Sequence, residues 1–196
     1  MPDSQILTDL PDRLVGDRVV VRPWRAGDGQ GLFEAVDESR DHILPYLPWG
    51  PFHESPEATE AMVRRWHANW LTREDMVLAI FNHDESHVLG GTGIHRIDWN
   101  VRSFEIGYWV RESEHRKGFV TEAVRLVIRL ICDYMNPSRI HIRCATSNSR
   151  SIAIPKRLGF THEGTLRNTI RDSQGHLHDI ETFSLIPGEF DRPFTR

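Results

Sequence analysis

The segment from Phe104 to Phe160 restricts the fold most, because it reads as strand, glycine-containing loop, long helix, strand and short helix. Phe104 to Val110 combines aromatic and β-branched residues between two polar runs, which predicts a central strand. A long helix is predicted next from apolar residues at three- and four-residue steps: Val120, Val124, Val127, Ile131 and Tyr134. The strand Ile140 to Cys144 should then run parallel to the first, because a helix crosses between them. The segment therefore predicts a right-handed βαβ unit.

The loop before the long helix predicts an anion-binding site. A helix N-terminus presents unpaired N–H groups and the positive end of the helix dipole, and Gly118 lets a ligand approach the main chain. Arg116 and Lys117 add positive charge, so a pyrophosphate is the expected anion. A turn glycine that binds nothing is the alternative. The sequence has neither GxGxxG nor GxxxxGK[ST], which excludes the two commonest nucleotide loops.

Four motifs carry a resemblance to a known family: Glu105–Val110, Lys117–Ala123, Asn148-x-x-Ser151 and Arg157–Gly164. Together they resemble the GNAT superfamily of acetyl-CoA-dependent N-acetyltransferases, and within it the RimJ/RimL-like group. The resemblance implies an α/β fold with a mixed, mostly antiparallel sheet, in which a splayed parallel central pair is flanked by helices. The chain departs from the family pattern at His115, where Gln or Arg is usual, and at Val120, where Gly or Ala is usual.

The resemblance also implies acetyl-CoA as co-substrate and gives its candidate contacts. Main-chain groups of Trp109 and Val110 would hold the pantetheine arm and the thioester oxygen, and Asn148 is either a pantetheine contact or only a helix cap. The full set of candidate cofactor-binding residues is Trp109, Val110, His115, Arg116, Lys117, Gly118, Phe119, Val120, Thr121, Asn148 and Ser151.

Acetyl transfer needs a base for the amine and an acid for the departing thiolate. Glu105, at the start of the central strand, is a candidate base if burial raises its pKa, and a salt bridge to a neighbouring arginine is the alternative. Many GNAT enzymes have a tyrosine that acts as the general acid where this chain has Pro155. Ser151, matched to the family motif, is the substitute acid, unless it only bonds the helix backbone.

Two loops are predicted to border the acceptor site. Residues 44–52 contain three prolines and three aromatic side chains, and form either a lid over a pocket or a plug on the core. Tyr46 and Trp49 from this loop, with Arg171 and His176 from a second loop, are the candidate substrate-binding residues. An apolar collar with few acids favours a protein or peptide α-amine. A small amine or antibiotic, or a non-catalytic coenzyme A-binding module, are the alternatives.

The remaining elements are read from periodicity and caps. Ser55 and Pro56 predict the start of a helix whose apolar stripe is Ala61, Met62, Trp66 and Trp70. Gly90-Gly91 suggests a bulge or a close backbone approach in a strand. The predicted elements are strands 18–24, 76–81, 88–97, 161–165 and 179–185, and helices 26–38, 56–71 and 148–158.

Composition limits the class of protein. With 196 residues and 39% hydrophobic content, we expect one domain over residues 15–190, an N-terminal arm over 1–14 and a tail over 191–196. The net charge of −4 and the absence of a basic stripe argue against nucleic-acid binding. Cys132 and Cys144 have no metal spacing, and the histidine pairs lack a third ligand, so no metal is expected. No membrane span or signal pattern is found, which predicts a cytoplasmic protein; a homodimer stays open.

Overall fold

The computed structural model describes residues 4–46, 53–172 and 175–190. Within these residues eight strands form one sheet in the order β1-β2-β3-β4-β5-β6-β8-β7, with every neighbouring pair antiparallel except β5 and β6. The strands are β1 Leu14–Val15, β2 Val19–Pro23, β3 Met76–Asn82, β4 Val88–Asp98, β5 Ser103–Val110, β6 Arg139–Ala145, β7 Thr161–Arg171 and β8 Leu177–Leu185. The helices are α1 Gly29–Ile43, α2 Pro56–Thr72, α3 Phe119–Met135 and α4 Ser149–Arg157. The mixed, mostly antiparallel α/β fold is confirmed.

The parallel pair at the centre of the sheet is splayed. β5 and β6 pair at three positions, the last of which joins Glu105 to His141. β5 nevertheless continues to Val110 and β6 to Ala145, so the two strands separate beyond this point. A slot between two strands exposes main-chain N–H and C=O groups that neighbouring strands would otherwise bond. The splay therefore opens the centre of the sheet to a ligand.

Helix α3 packs on one face of the sheet and ends differently from the prediction. It buries a stripe that runs from Val120 to Met135 and packs against β2, β3, β4 and β5. Tyr134, predicted to face the core, is 49% exposed, whereas Met135 is 1% exposed. Met135 lies four residues after Ile131, which is the spacing that continues the buried stripe. The prediction for Tyr134 was wrong by one position.

Helices α1 and α2 cover the β2–β4 part of the opposite face, around Trp24 and Phe81. Helix α1 extends five residues past the predicted end at Glu38, because Ser39 and Ile43 continue its buried stripe. Ser55 caps α2 as predicted by accepting a hydrogen bond from the N–H of Ala58 at 3.1 Å. The apolar stripe of α2 was predicted correctly at Trp66 and Trp70, which pack on the core, and wrongly at Ala61, which is exposed. Thr59 and Val63 are the further buried residues.

Two further predictions concern the strands. β7 and β8 are longer than predicted, with β7 ending at Arg171 and β8 beginning at Leu177. β7 is an exposed edge strand whose sequence has no alternating burial to mark its length. Gly90-Gly91 lies beside a register shift in the β3–β4 pair, and a Cβ on Gly91 would overlap the indole of Trp109. Both the bulge and the close approach are confirmed. Among the described residues, no helix combines the length and apolarity that crossing a membrane requires.

Candidate active site

The main chain of β5 lines the slot with alternate residues. The N–H of Arg111 donates to the carbonyl of Leu89 in β4 at 2.9 Å. Since successive residues of a strand direct their main-chain groups to opposite sides, Trp109 also turns toward β4, where it pairs with Gly91. Tyr108 and Val110 turn toward β6 and the slot. The prediction that Trp109 offers its main chain to pantetheine is therefore corrected to Tyr108, while the prediction for Val110 is retained.

The N-terminus of α3 begins at the end of this slot. Gly118 has φ +84°, a conformation in which a side chain is strained, and the first turn of the helix follows directly. Arg18 holds the loop in place: its guanidinium donates to the carbonyl of Lys117 at 2.8 Å and to Glu122 at 3.0 Å, and stacks 5.1 Å from the ring centre of Phe119. The free N–H groups of the first turn are thus presented from a braced loop.

Cations surround this helix terminus. Arg157, at the end of α4, donates to Thr121 Oγ1 at 3.4 Å. Arg150, near the start of α4, lies 3.5 Å from Nδ1 of His115. Lys117 pairs with Glu114 at 2.9 Å, and Arg116 is exposed with φ +63°. An anion at the α3 N-terminus would meet positive charge from both α4 and the loop.

His115 belongs to a compact cluster with His42 and Glu112. The two imidazole rings lie 4.4 Å apart, and His42 donates through Nε2 to the carbonyl of Val110 at 3.0 Å. Burial, followed by the charge of His42, lowers the pKa of His115. The three side chains have ligand atoms within 4.8 Å of one another, a spacing that suits a divalent cation. The guanidinium of Arg150 beside His115 opposes a cation there.

Ser151 joins a buried chain of hydroxyl and thiol groups. Its Oγ lies 3.2 Å from the phenol oxygen of Tyr108 and 3.2 Å from Sγ of Cys144, and the Tyr108 hydroxyl donates to the Ser151 carbonyl at 2.9 Å. Burial raises the pKa of Cys144 and raises the pKa of Tyr108 well above its ordinary value. All three groups keep their protons at neutral pH. Asn148 caps α4 by accepting from the N–H of Ser151 at 3.0 Å.

Glu105 lies at the fork of the splay and is surrounded by two arginines and a histidine. Arg96 contacts one carboxylate oxygen, and His141 and Arg143 lie 3.3 and 3.7 Å from the other. Burial alone would raise the pKa of Glu105, but the hydrogen bond from His141 and the two arginine charges outweigh it and lower the pKa. The raised pKa that we expected for a base is therefore wrong. The geometry is that of the salt-bridge alternative.

The predicted acceptor residues fall in three places. Arg171 ends β7 and donates to the carbonyl of Gly175 at 2.6 Å, while His176 and His178 contact Asp172 at 3.2 and 2.8 Å. The hairpin that carries Arg171 and His176 is thus bonded within itself. Tyr46 follows the end of α1 and is half-buried. Trp49, with the rest of residues 47–52, lies outside the described residues, and all four assignments stay predictions.

Sequence reasoning missed three contributors to this site. Tyr108 was treated only as part of a strand, although its phenol oxygen lies 3.2 Å from Oγ of Ser151. Cys144 was judged only for disulfide and metal spacing. Arg18 was assigned to the first strand, 99 positions from the loop it braces. Alternation along β5 and β6 could have placed Tyr108 and Cys144 on one face, but no local signal links Arg18 to Lys117.

Comparisons with known proteins agree with this geometry. The model of the acetyltransferase (GNAT) domain family matches residues 18–161. The putative ribosomal N-acetyltransferase YdaF of Bacillus subtilis strain 168 is 26% identical over 90% of this chain and 96% of its own length. The ribosomal-protein-serine acetyltransferase of Escherichia coli K12 is 27% identical over 69% of this chain and 75% of its own length.

Solved structures show the same fold. The microcin C7 self-immunity acetyltransferase MccE, in complex with acetyl-CoA and AMP, has a TM-score of 0.83 and 21% identity over 92% of this chain and 99% of its own. RimL, the ribosomal L7/L12 α-N-protein acetyltransferase, in complex with coenzyme A, has a TM-score of 0.81 and 20% identity over 90% of this chain and 97% of its own. The resemblance predicted from the four motifs is confirmed, and the chain belongs to the GNAT acetyltransferase family.

Proposed function

We propose that this acetyltransferase moves the acetyl group of acetyl-CoA to the N-terminal α-amine of a protein, by direct attack of the amine on the bound thioester. The observation that carries the transfer chemistry is the slot where β5 and β6 separate after Glu105 and His141, with the α3 N-terminus at its end. A pantetheine arm fits an open strand edge, and a pyrophosphate fits a helix N-terminus.

The residues present fit acetyl-CoA. Tyr108 and Val110 offer main-chain groups to the pantetheine arm, and Gly118 with the first turn of α3 offers N–H groups to the pyrophosphate. Arg150 and Arg157 add positive charge from α4. When bound, acetyl-CoA supplies an activated carbonyl carbon. The side chain of His115 and the main chains of Phe119, Val120 and Thr121 complete the proposed contacts.

Ser151 is the proposed acid for the departing thiolate. Its hydroxyl can give a proton to the thiolate and be reprotonated along the chain that it forms with Tyr108 and Cys144, which lie 3.2 Å away and are both protonated at neutral pH because burial raises their pKa. A short chain of neutral donors is suited to a thiolate that appears only late in the reaction. Asn148 positions Ser151 by capping its helix.

The acceptor is inferred from the relatives and from the predicted collar. Three relatives that cover 69% or more of this chain carry names that refer to ribosomal-protein acetylation. Tyr46, Trp49, Arg171 and His176 are the proposed acceptor contacts, where aromatic faces and hydrogen-bonding groups would receive one cationic amine. A polycationic antibiotic needs several converging carboxylates, and the two acceptor loops contain few acids. A cytoplasmic location and a homodimer are further proposals, which fractionation and light scattering would test.

Thiol release from acetyl-CoA, combined with mass spectrometry of the products, tests this function. The panel contains peptides that begin with Ser, Ala or Met, the same peptides with a blocked N-terminus, polyamines and an aminoglycoside. We expect acetylation of free peptide N-termini and none of the blocked peptides, even where they contain lysine. Acetylation of small amines alone would contradict the proposed acceptor. Absence of turnover with every amine would favour a coenzyme A-binding module.

A further inference from the structure

Acetyl transfer still lacks a base, because Glu105 is held as an ionised carboxylate by Arg96 and Arg143, with His141 beside it. Such a carboxylate is a weak proton acceptor, since the cations favour its charged form. The acid groups Ser151 and Tyr108 lie on the α3 side of the sheet, where the cofactor thiol would be. The amine must approach the carbonyl carbon from the side that the cofactor leaves open. A base should therefore lie on the face opposite α3, beside the slot.

His95 occupies this position. It is the cross-strand partner of Glu105 on β4, so the two side chains lie on the same face of the sheet. Its ring lies over Gly93 and Gly107, since a Cβ added to Gly93 would come within 2.6 Å of Nε2 and one added to Gly107 within 3.1 Å. Gly107 is two residues past the last β5 position that pairs with β6. The ring thus lies at the entrance of the slot.

The glycine pair is an unusual choice for this part of the sheet. Gly93 and Gly107 face each other across two central strands, where glycine weakens a strand and packs nothing. Both positions lie on the face that carries His95, and the imidazole takes the space that two side chains would fill. The two glycines therefore leave the space in which the imidazole of His95 lies.

Asp75 orients the ring. Its Oδ1 lies 2.6 Å from Nδ1 of His95, just before β3 begins. A carboxylate at this distance accepts the Nδ1 proton, so Nε2 keeps a lone pair in the neutral imidazole. The side chains of His95 and Asp75 are 31% and 44% exposed, so an amine and solvent water can reach them. An aspartate–histidine pair with a free Nε2 is a suitable proton acceptor.

We propose that His95 is the general base of acetyl transfer and that Asp75 is its positioning residue. His95 Nε2 takes a proton from the acceptor ammonium, and the amine lone pair forms the C–N bond with the thioester carbon. The C–S bond then breaks, the nitrogen loses its second proton to water, and the thiolate receives a proton from Ser151, which is reprotonated by water. The products are the acetylated amine and the coenzyme A thiol. His95 releases its proton to solvent. This inference rests on the proposed function, because it needs an amine acceptor, but it does not depend on which amine.

The charged groups that face His95 are few and define the pH experiment. Asp75 contacts it from the segment before β3, and Glu105 lies opposite on β5 with its partner Arg96. His141 faces Glu105 from β6. Variants of His95 must therefore be compared with a variant of Glu105, since a pH effect transmitted through the ion-pair cluster would respond to both.

The test uses the full chain and the best amine of the panel. We expect His95→Gln to lower kcat by roughly 10²-fold, to leave acetyl-CoA affinity unchanged in calorimetry, and to abolish the rising limb of kcat/KM with pH. Asp75→Asn should lower kcat by about tenfold, and the double variant should be no slower than His95→Gln, because Asp75 acts through the ring. His83→Gln, at the exposed β3–β4 turn, is the matched control and should behave as wild type.

Imidazole rescue covers the case in which His95→Gln folds poorly. His95→Ala leaves room above the glycine pair, and added imidazole should restore part of kcat. The base assignment would be overturned if His95→Gln kept the wild-type kcat and the rising limb of kcat/KM with pH. It would also be overturned if Glu105→Gln, and not His95→Gln, lost that limb. In both cases the proposed acetyl transfer would stand. The assignment would also be overturned if imidazole did not restore kcat in His95→Ala and the double variant were slower than His95→Gln. A wild-type chain that acetylates no amine would overturn the proposed function and the base together.

Discussion

Replacing Gly118 by Asp should weaken acetyl-CoA binding by roughly 10²-fold without unfolding the protein. Gly118 has φ +84°, so any side chain there is strained by roughly 1–2 kcal/mol. A Cβ would also lie 3.3 Å from the guanidinium of Arg18, which braces the loop. The new carboxylate would face the pyrophosphate. At about 6 Å and an effective dielectric of about 20, one pair of like charges costs about 3 kcal/mol, which is roughly a 10²-fold loss of affinity.

Gly159 provides a matched control for the strain. It follows α4 with φ +77°, and nothing lies within 4 Å of an added Cβ. Gly159→Asp should therefore lose a similar amount of unfolding free energy, while its acetyl-CoA affinity stays that of wild type. Gly118→Ala should fall between the two in calorimetry, because it adds strain without charge.

Calorimetry and chemical unfolding on the three variants separate the two effects. The reasoning is refuted if folded Gly118→Asp binds acetyl-CoA as tightly as wild type. It is also refuted if Gly159→Asp loses affinity to the same extent, because the effect would then come from backbone strain alone. Raised salt should reduce the difference between Gly118→Asp and Gly118→Ala, since the main term is electrostatic.

Three further predictions follow from the described contacts. Tyr108→Phe should lower kcat by roughly tenfold and Ser151→Ala by more, both with unchanged acetyl-CoA affinity, and equal kcat in all three proteins would argue against the proton chain. Glu105→Gln should lower the unfolding free energy by about 2 kcal/mol, because it leaves the half-buried Arg143 and His141 without their carboxylate partner, and a neutral result in urea unfolding would contradict this. The hydrogen bond from Arg139 lowers the pKa of Glu163 from its ordinary 4.5 to about 2. This carboxylate therefore stabilises the fold above pH 4.5 and loses that effect as the pH falls toward 2. Glu163→Gln should make the free energy of unfolding depend less on pH in this window, as measured by acid unfolding.

The elements of the fold were predictable where burial repeats along the chain. The core side of α3 and the capped start of α2 follow from local patterns, and the crossover helix fixes the parallel pair. Predictions failed where packing against other elements decides the outcome. Tyr134 was predicted to be buried, but its neighbour Met135 is buried instead, and the end of α1 was predicted too early. The edge strand β7 has hardly any buried side chain, so its length carries no periodic signal.

The site was predictable only for its main-chain parts. The loop at Gly118 and the cap at Asn148 are local features that a sequence motif can mark. Side-chain partners come from distant segments: Asp75 meets His95, and Tyr108 meets Ser151, through the register of strands and the docking of α4. Electrostatics was least predictable, because the pKa of Glu105 depends on two arginines and a histidine whose positions no single sequence pattern reveals.

Glu105 has a different use in this arrangement, which explains why a carboxylate is buried at the fork. Its partners His141 and Arg143 lie on β6, at and just beyond the last position where the two strands pair. The ion pairs therefore join β5 to β6 at the point where the main-chain bonds end. If they fix where the splay begins, they also fix how far Gly107 and the ring of His95 stand from the thioester. A loss of activity in Glu105→Gln would then come with altered acetyl-CoA affinity, whereas a lost base would leave that affinity unchanged.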